Sequence, residues 1–447
     1  MTRLLVFLLI CLAPICSLAA QSVENSMPAP LPYKEHLLKN GLKLITHEDH
    51  STPIVNLQVW YHVGAKDEEG GQTGFAHLFE HLMFKGSSNV DPEEHSNSIT
   101  SIGGIANAYT TDDVTVYWQT FPSNYLEMVM WLEADRLKSL DVSRENFLSE
   151  REVVKEERRV RIESPPYGDL FETLYSKAFD VHPYRHLAIG SMEDLDRATV
   201  EDVSKFHKTF YVPNNAYIVI AGNFDTDQAL AWVKQYFGSI PIGKNAVPRV
   251  HVMEPEHSGE RRVSIQKEVP LPAYLAGYYV PEDGHPDSYP LIITSSILSG
   301  GRSSRLYQSL VYQEQIALQA DAGASFREHP NLFFAILIMN QGKSIDAGEA
   351  LLNSHLKKIM EEPVSLSELK KAKNQVRADY ILHRQSVREK ASALGHAAVI
   401  HQDTSSANAE LELFLKVSQA DIMRVSRKYF DPQNRTVVSV VPPNQKR

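Results

Sequence analysis

Two histidines four residues apart with a glutamate between them, His77-Leu78-Phe79-Glu80-His81, are the residues of this chain best placed to do chemistry. On a helix, positions i and i+4 stack one turn apart, so both imidazoles can converge on one metal ion. Glu80 directly precedes the second histidine, close enough to take a proton from a metal-bound water. The order reverses the commoner H-E-x-x-H arrangement. From Thr73 to Phe84, apolar residues surround the three polar ones, as in a buried helix carrying a small polar island. A chain with 18 histidines can produce such a pattern by accident, and either histidine alone could be a core residue satisfied by backbone. Two of them flanking a carboxylate would be costly to bury without a partner.

Catalytic zinc usually takes three protein ligands and a water, His₂Glu being a common set. Glu150-Arg151-Glu152-Val153-Val154-Lys155-Glu156-Glu157 supplies carboxylates on a segment rich in helix formers that ends before Pro165-Pro166. Glu150 and Glu157 are two turns apart and share a face, whereas Glu156 is rotated away. Glu152 and Glu156 fit a salt-bridged exposed helix face. Spacing alone does not choose between the remaining glutamates.

These residues carry a resemblance. The chain resembles the pitrilysin and mitochondrial-processing-peptidase family, the inverzincin metallopeptidases, in which H-x-x-E-H is followed some way on by a glutamate ligand in a segment like E-R-x-V-x-x-E-E. The resemblance, which spans essentially the whole mature chain, implies His77, His81 and Glu157 as ligands of one Zn2+ per chain, Glu80 as catalytic base and Glu150 as an auxiliary acid. Gly103-Gly104-Ile105-Ala106-Asn107-Ala108-Tyr109-Thr110 is similar to the family's G-G-x-x-N-A-x-T strand. In relatives that strand is an edge that pairs with substrate backbone, so Asn107, Ala108 and Tyr109 are implied substrate contacts. Read without the family, it is a Gly-Gly turn feeding a strand.

With 447 residues the chain exceeds one core. Asp202 to Ile220 lines up without a gap on Asp421 to Ser439, placing Pro213 on Pro432 and Asn215 on Asn434. Each copy reads as a helix, a Pro-Asn turn and a buried strand. The expected fold class is α+β: two homologous domains, each a mostly antiparallel sheet packed with helices. Residues 31–240 form the expected zinc-binding half, 241–262 a Pro- and Gly-containing linker and 263–447 the second half. Asn40-Gly41 marks a hairpin near the start of the first half. Tyr289 to Gly301 takes the place of the zinc helix in the repeat but carries no histidine, which suggests a catalytically silent copy. His182 and His186 share i, i+4 spacing, but Pro183 intervenes and they read as structural.

Residues 1–20 read as a signal peptide: Arg3, an apolar run from Leu4 to Cys16, and Ser17-Leu18-Ala19-Ala20 as a small-residue cleavage site. The run is short for a membrane span and contains Pro14. One arginine is poor for a mitochondrial presequence, and Ile15 is too bulky for a lipoprotein site at Cys16. Both cysteines lie here, so the mature protein holds its metal with nitrogen and oxygen. A bacterial periplasm is the expected address, with no membrane span. The formal net charge of -10 argues against a nucleic-acid partner.

One departure from the family pattern bears on partners. Active relatives carry an arginine and a tyrosine seven residues apart in the silent half. Aligned on Ser304-Arg305-Leu306-Tyr307, this chain has Val311 and Leu318 there. Oxyanion stabilisation of that kind is worth about 3 to 4 kcal/mol, so its loss would leave a slow enzyme. The expectation is a zinc endopeptidase acting on short or unfolded peptides in an enclosed chamber. It would be the catalytic subunit beside a homologous partner that carries the Arg-Tyr pair, or a homodimer. The alternative is a non-catalytic peptide-binding or structural subunit of the same fold.

Overall fold

A computed structural model of the chain describes residues 27–255 and 259–443. The expected signal segment 1–20 lies outside the described residues.

The first half builds a six-stranded sheet from β1 (Lys34–Leu37), β2 (Lys43–Glu48), β3 (Ile54–Tyr61), β4 (Ile105–Thr110), β5 (Thr115–Pro122) and β6 (Ala216–Gly222), in the order β1-β2-β6-β3-β5-β4. The second half builds a five-stranded sheet from β7 (Arg261–Gln266), β8 (Ala273–Val280), β9 (Ala317–Ser325), β10 (Asn331–Met339) and β11 (Arg435–Val441), in the order β7-β11-β8-β10-β9. Each sheet contains one parallel pair, β2 with β6 and β7 with β11, and is otherwise antiparallel. Removing the hairpin strand β1 makes the two strand orders equivalent, which is the α+β duplication expected from the sequence. Gly41, at φ +86°, supplies the left-handed residue of that hairpin.

The repeated segment has a physical reason for keeping its residues in register. Helix Val200–Phe210 is capped by Thr199 with Asp202, and helix Gln419–Tyr429 by Ser418 with Asp421. Asn215 Nδ2 donates to Phe210 O at 2.8 Å and to His62 O at 3.2 Å. Asn434 Nδ2 donates to Tyr429 O and to Tyr279 O, both at 3.0 Å. In each half the carboxamide satisfies an end carbonyl of the helix and ties it to the strand region alongside, so loss of either asparagine leaves unpaired buried groups.

Each half lends a helix to the other. From helix Leu170–Ala178 of the first half, Leu170, Leu174 and Ala178 pack with Leu275, Val438 and Val440 of the second sheet. From helix Val387–Val399 of the second half, Ala391, Leu394 and Ala398 pack with Trp60, Val219 and Ala221 of the first. The other face of the first sheet covers the zinc-motif helix and its neighbours, which explains why β3 is buried along nearly its whole length. Between the halves, Glu328 accepts from His62 Nε2 at 2.8 Å and pairs with Lys66 Nζ at 3.1 Å, and Arg327 pairs with Asp112 at 2.7 Å. His182 belongs to this seam: its Nδ1 accepts the Tyr184 N–H at 3.2 Å, and the Tyr184 hydroxyl donates to Asp113 at 2.6 Å. Among the described residues no helix is long and apolar enough to cross a membrane.

Candidate metal centre

The H-x-x-E-H motif forms helix α1 (Phe75–Leu82). Its start is fixed by Gly74, at φ +95°, where a Cβ would lie 2.9 Å from Ile189 O. Glu68 serves as its cap from a distance, accepting the backbone N–H groups of Gly74 at 2.9 Å and Ala76 at 2.8 Å. Phe75, Ala76, Leu78, Phe79 and Leu82 are all buried, which turns His77, Glu80 and His81 toward the one polar side left.

The carboxylates come from α2 (Arg144–Arg158), capped by the Ser143 side chain. Glu157 Oε2 lies 3.5 Å from His77 Nε2 and 3.4 Å from His81 Nε2. Glu150 Oε2 lies 3.4 Å from His81 Nδ1, and its other oxygen is 3.1 Å from Lys85 Nζ. Beyond α2 the chain widens into a π-type turn, Arg159–Glu163, which returns Arg161 to pair with Glu157 Oε1 at 2.7 Å.

The donor set fits zinc. Ligands about 2.0–2.1 Å from a tetrahedral ion stand about 3.4 Å from one another, which is the spacing of the two imidazoles from the Glu157 oxygen. Burial, reinforced by the charges of His81 and Arg161, lowers the His77 pKa to about 3, so the imidazole is in its neutral, ligating form. Burial opposes charge on His81 too, but the hydrogen bond to Glu150 and the charges of Glu157 and Glu80 outweigh it and raise its pKa. The Glu80 carboxyl is pushed up by burial, and Thr110, whose hydroxyl donates to Glu80 Oε2 at 2.6 Å, holds it partly back.

A cavity of about 510 Å³ gathers every site residue read from the sequence: His77, Glu80, His81, Asn107, Ala108, Tyr109, Glu150 and Glu157. β4 is the outer strand of its sheet and forms one rim, with Ala108 N–H accepted by the Asn107 side chain at 2.8 Å. Strand alternation puts Thr110 on the Glu80 side and Tyr109 on the other face, where its ring meets Trp60 edge-on at 6.3 Å. Tyr109 therefore borders the cavity as a member of the free strand edge.

Sequence reasoning gave no role to Thr110, Lys85 or Arg161. Two had a helical signal, since Lys85 follows His81 by four and Arg161 follows Glu157 by four. Thr110 required the register between β4 and α1. Among the described residues, all that line the cavity belong to the stretch from His77 to Arg161. Val311 lies in the helical turn Tyr307–Gln313, and Leu318 is exposed on the edge strand β9.

Comparison with known proteins agrees with this architecture. Residues 43–190 match the family model described as Insulinase (Peptidase family M16), and residues 197–376 the one described as Peptidase M16 inactive domain. The zinc protease PqqE of Helicobacter pylori is 30% identical over 416 residues, covering 92% of this chain and 94% of that protein. A crystal structure of a protease from Helicobacter pylori aligns with a TM-score of 0.90 at 29% identity, over 93% of this chain and 100% of that one. The periplasmic protease PqqL from Escherichia coli shares the fold at a TM-score of 0.74 and 19% identity, over 92% of this chain and 48% of that one. The chain belongs to peptidase family M16.

Proposed function

We propose that the chain is a zinc-dependent endopeptidase that hydrolyses short or unfolded peptides. The observation that carries this reading is the convergence of His77 and His81 on one Glu157 oxygen, at 3.5 and 3.4 Å, inside a cavity that Glu80 and a free strand edge also line.

His77, His81 and Glu157 would hold one zinc, which when bound would supply a Lewis acid able to bring a water's pKa from about 15.7 to about 7. Glu80 takes the proton of the attacking water and returns it to the leaving amine. Thr110 holds one Glu80 oxygen and leaves the other for that transfer. Glu150 accepts from His81 Nδ1, which fixes the tautomer and would leave Nε2 free to ligate zinc. The free edge of β4, through Asn107, Ala108 and Tyr109, pairs with the substrate backbone.

On this reading residues 31–240 are the zinc-binding half, and 263–447 are a silent half that shapes the chamber. The side chains of Val311 and Leu318 offer no donor to a tetrahedral intermediate, and among the described residues the cavity takes no lining from the second half. A homologous subunit carrying an Arg-Tyr pair therefore closes the chamber, since a second copy of this chain would bring the same two apolar residues. With residues 1–20 read as a signal peptide, the proposed address is the periplasm.

The test is hydrolysis of a quenched fluorescent peptide library by the mature chain, with zinc quantified and Glu80→Gln as control. Chelator-sensitive cleavage abolished by Glu80→Gln is expected, and such cleavage by the chain in isolation would remove the need for a partner. Full hydrolysis by the zinc-loaded Glu80→Gln chain would sink the assignment of the base.

A further inference from the structure

A second cluster with the chemistry of a metal site lies outside the peptidase centre. Asp283, in the connection after β8, faces His396, near the end of helix Val387–Val399, and His401, just beyond it. Asp283 Oδ2 is 2.8 Å from His396 Nε2 and 3.5 Å from His401 Nε2. The two imidazoles stand with centroids 5.2 Å apart and planes at 79°, against 4.9 Å and 85° for His77 and His81. The ring arrangement thus recurs, with the His401 contact at the spacing of the first site and the His396 contact closed to a hydrogen bond.

Asp283 and His401 are each oriented by a neighbour. Asp283 Oδ1 accepts the Gly284 N–H at 2.8 Å, which turns Oδ2 to the imidazoles. The single hydroxyl hydrogen of Ser406 goes to Asp403 O at 2.7 Å, so the same oxygen, 2.9 Å from His401 Nδ1, accepts that N–H. His401 Nε2 is buried, has no partner at ordinary hydrogen-bond distance and faces the Asp283 carboxylate at 3.5 Å. A neutral Nε2 and a carboxylate oxygen are two electron-pair donors face to face, an arrangement reconciled by a proton or by a metal ion between them. Protons can also fill the cluster, with His396 as the neutral Nε2–H tautomer and His401 as the imidazolium, both donating to Asp283. A divalent ion serves all three donors at once. Gln402, directly after His401, holds the left-handed conformation at φ +53°, a constraint of the kind that gathers at ligand sites.

We propose that Asp283, His396 and His401 bind a second divalent cation of the zinc class, with the fourth position open to a cavity of about 400 Å³ that Glu410 also lines. The helix carrying His396 packs on the first sheet, whereas Asp283 belongs to the second half. The ion is therefore a clasp that fixes the exchanged helix to its own half. This holds whether or not the chain is a peptidase.

The experiment counts zinc by mass spectrometry and by titration after chelation and desalting. The full chain is expected to bind about two zinc ions, and the His77→Ala/His81→Ala chain about one, with a zinc-dependent rise in its unfolding temperature. Adding His396→Gln/His401→Gln should remove that binding and that rise. Asp283→Asn in the otherwise unaltered chain should lower the count to about one, which guards against a variant that fails to fold. The proposal is overturned if the His77→Ala/His81→Ala chain shows no saturable zinc binding, or if binding survives loss of His396 and His401. A chain that loses zinc only with His396 and His401 would instead uphold this site and defeat the peptidase centre.

Discussion

Replacing Gly395 with alanine sets two known effects against each other at the helix that the second half lends to the first. In a helix interior, Gly→Ala is favourable by about 1 kcal/mol. A Cβ at Gly395, however, would lie 2.4 Å from Trp60 Cε2 and 2.5 Å from Trp60 Nε1. Carbon pairs rest near about 3.5–4.0 Å, so ring and helix must separate by about 1 Å. Trp60 cannot swing aside: it is buried, and its Nε1 donates to Gln58 Oε1 at 2.8 Å. Gln58 is itself held by Ser392 at 3.0 Å on the same helix. Overpacking of this kind costs about 1–3 kcal/mol, and rigid partners put it near the upper end. The net expectation for Gly395→Ala is a loss of about 1–2 kcal/mol. In a Trp60→Leu background the same change should become favourable, a coupling of about 2–3 kcal/mol in a double-mutant cycle. Urea unfolding of the four chains measures it. Because Tyr109 leans on Trp60, the variant should also weaken peptide capture at β4. A Gly395→Ala chain as stable as its parent, in the presence of Trp60, would refute the close packing on which this rests.

Thr110→Val removes the hydroxyl that holds Glu80 down, so the Glu80 pKa should rise further and the acid limb of kcat/KM should move to higher pH. Thr110→Ser should leave the limb where it was, and an unmoved limb in the valine variant refutes the role. Glu150→Gln should weaken zinc binding about 10- to 100-fold, measured by competition with a chelator; affinity within about twofold of the parent would mean that Glu150 does not orient His81. Burial pushes the Glu328 carboxyl up, but His62 and Lys66 overcome it and hold it at about 2. A folded pKa below the unfolded one gives stability that is complete above about pH 4.5 and is lost as pH falls toward 2. The stability gap between the parent and Glu328→Gln should therefore be constant at neutral pH and close on acidification; a gap independent of pH from about 5 to 2 would contradict it.

The two helical pieces of the candidate site were legible because helical spacing is a local property. His77 and His81 share a face whatever surrounds them, and Glu150 and Glu157 do likewise. The duplication was legible for a similar reason, since Asn215 and Asn434 each close a helix and anchor a strand and so recur in register. The second cluster was not legible. His396 and His401 are five apart and straddle a helix end, and their carboxylate lies more than a hundred residues earlier, so no periodicity joins them.

The sequence by itself determined the two-histidine helix, the carboxylate-rich helix, the alternating edge strand and the existence of two similar halves, all of which follow from spacing within one element. Only the tertiary structure decided that both imidazoles meet one Glu157 oxygen, that Glu80 rests on Thr110, and that each half carries a helix of the other. These depend on the register between distant elements and on which buried faces must be covered. A single chain pattern does not encode that register, because many pairings satisfy the same local periodicity and the choice is made by packing the whole core.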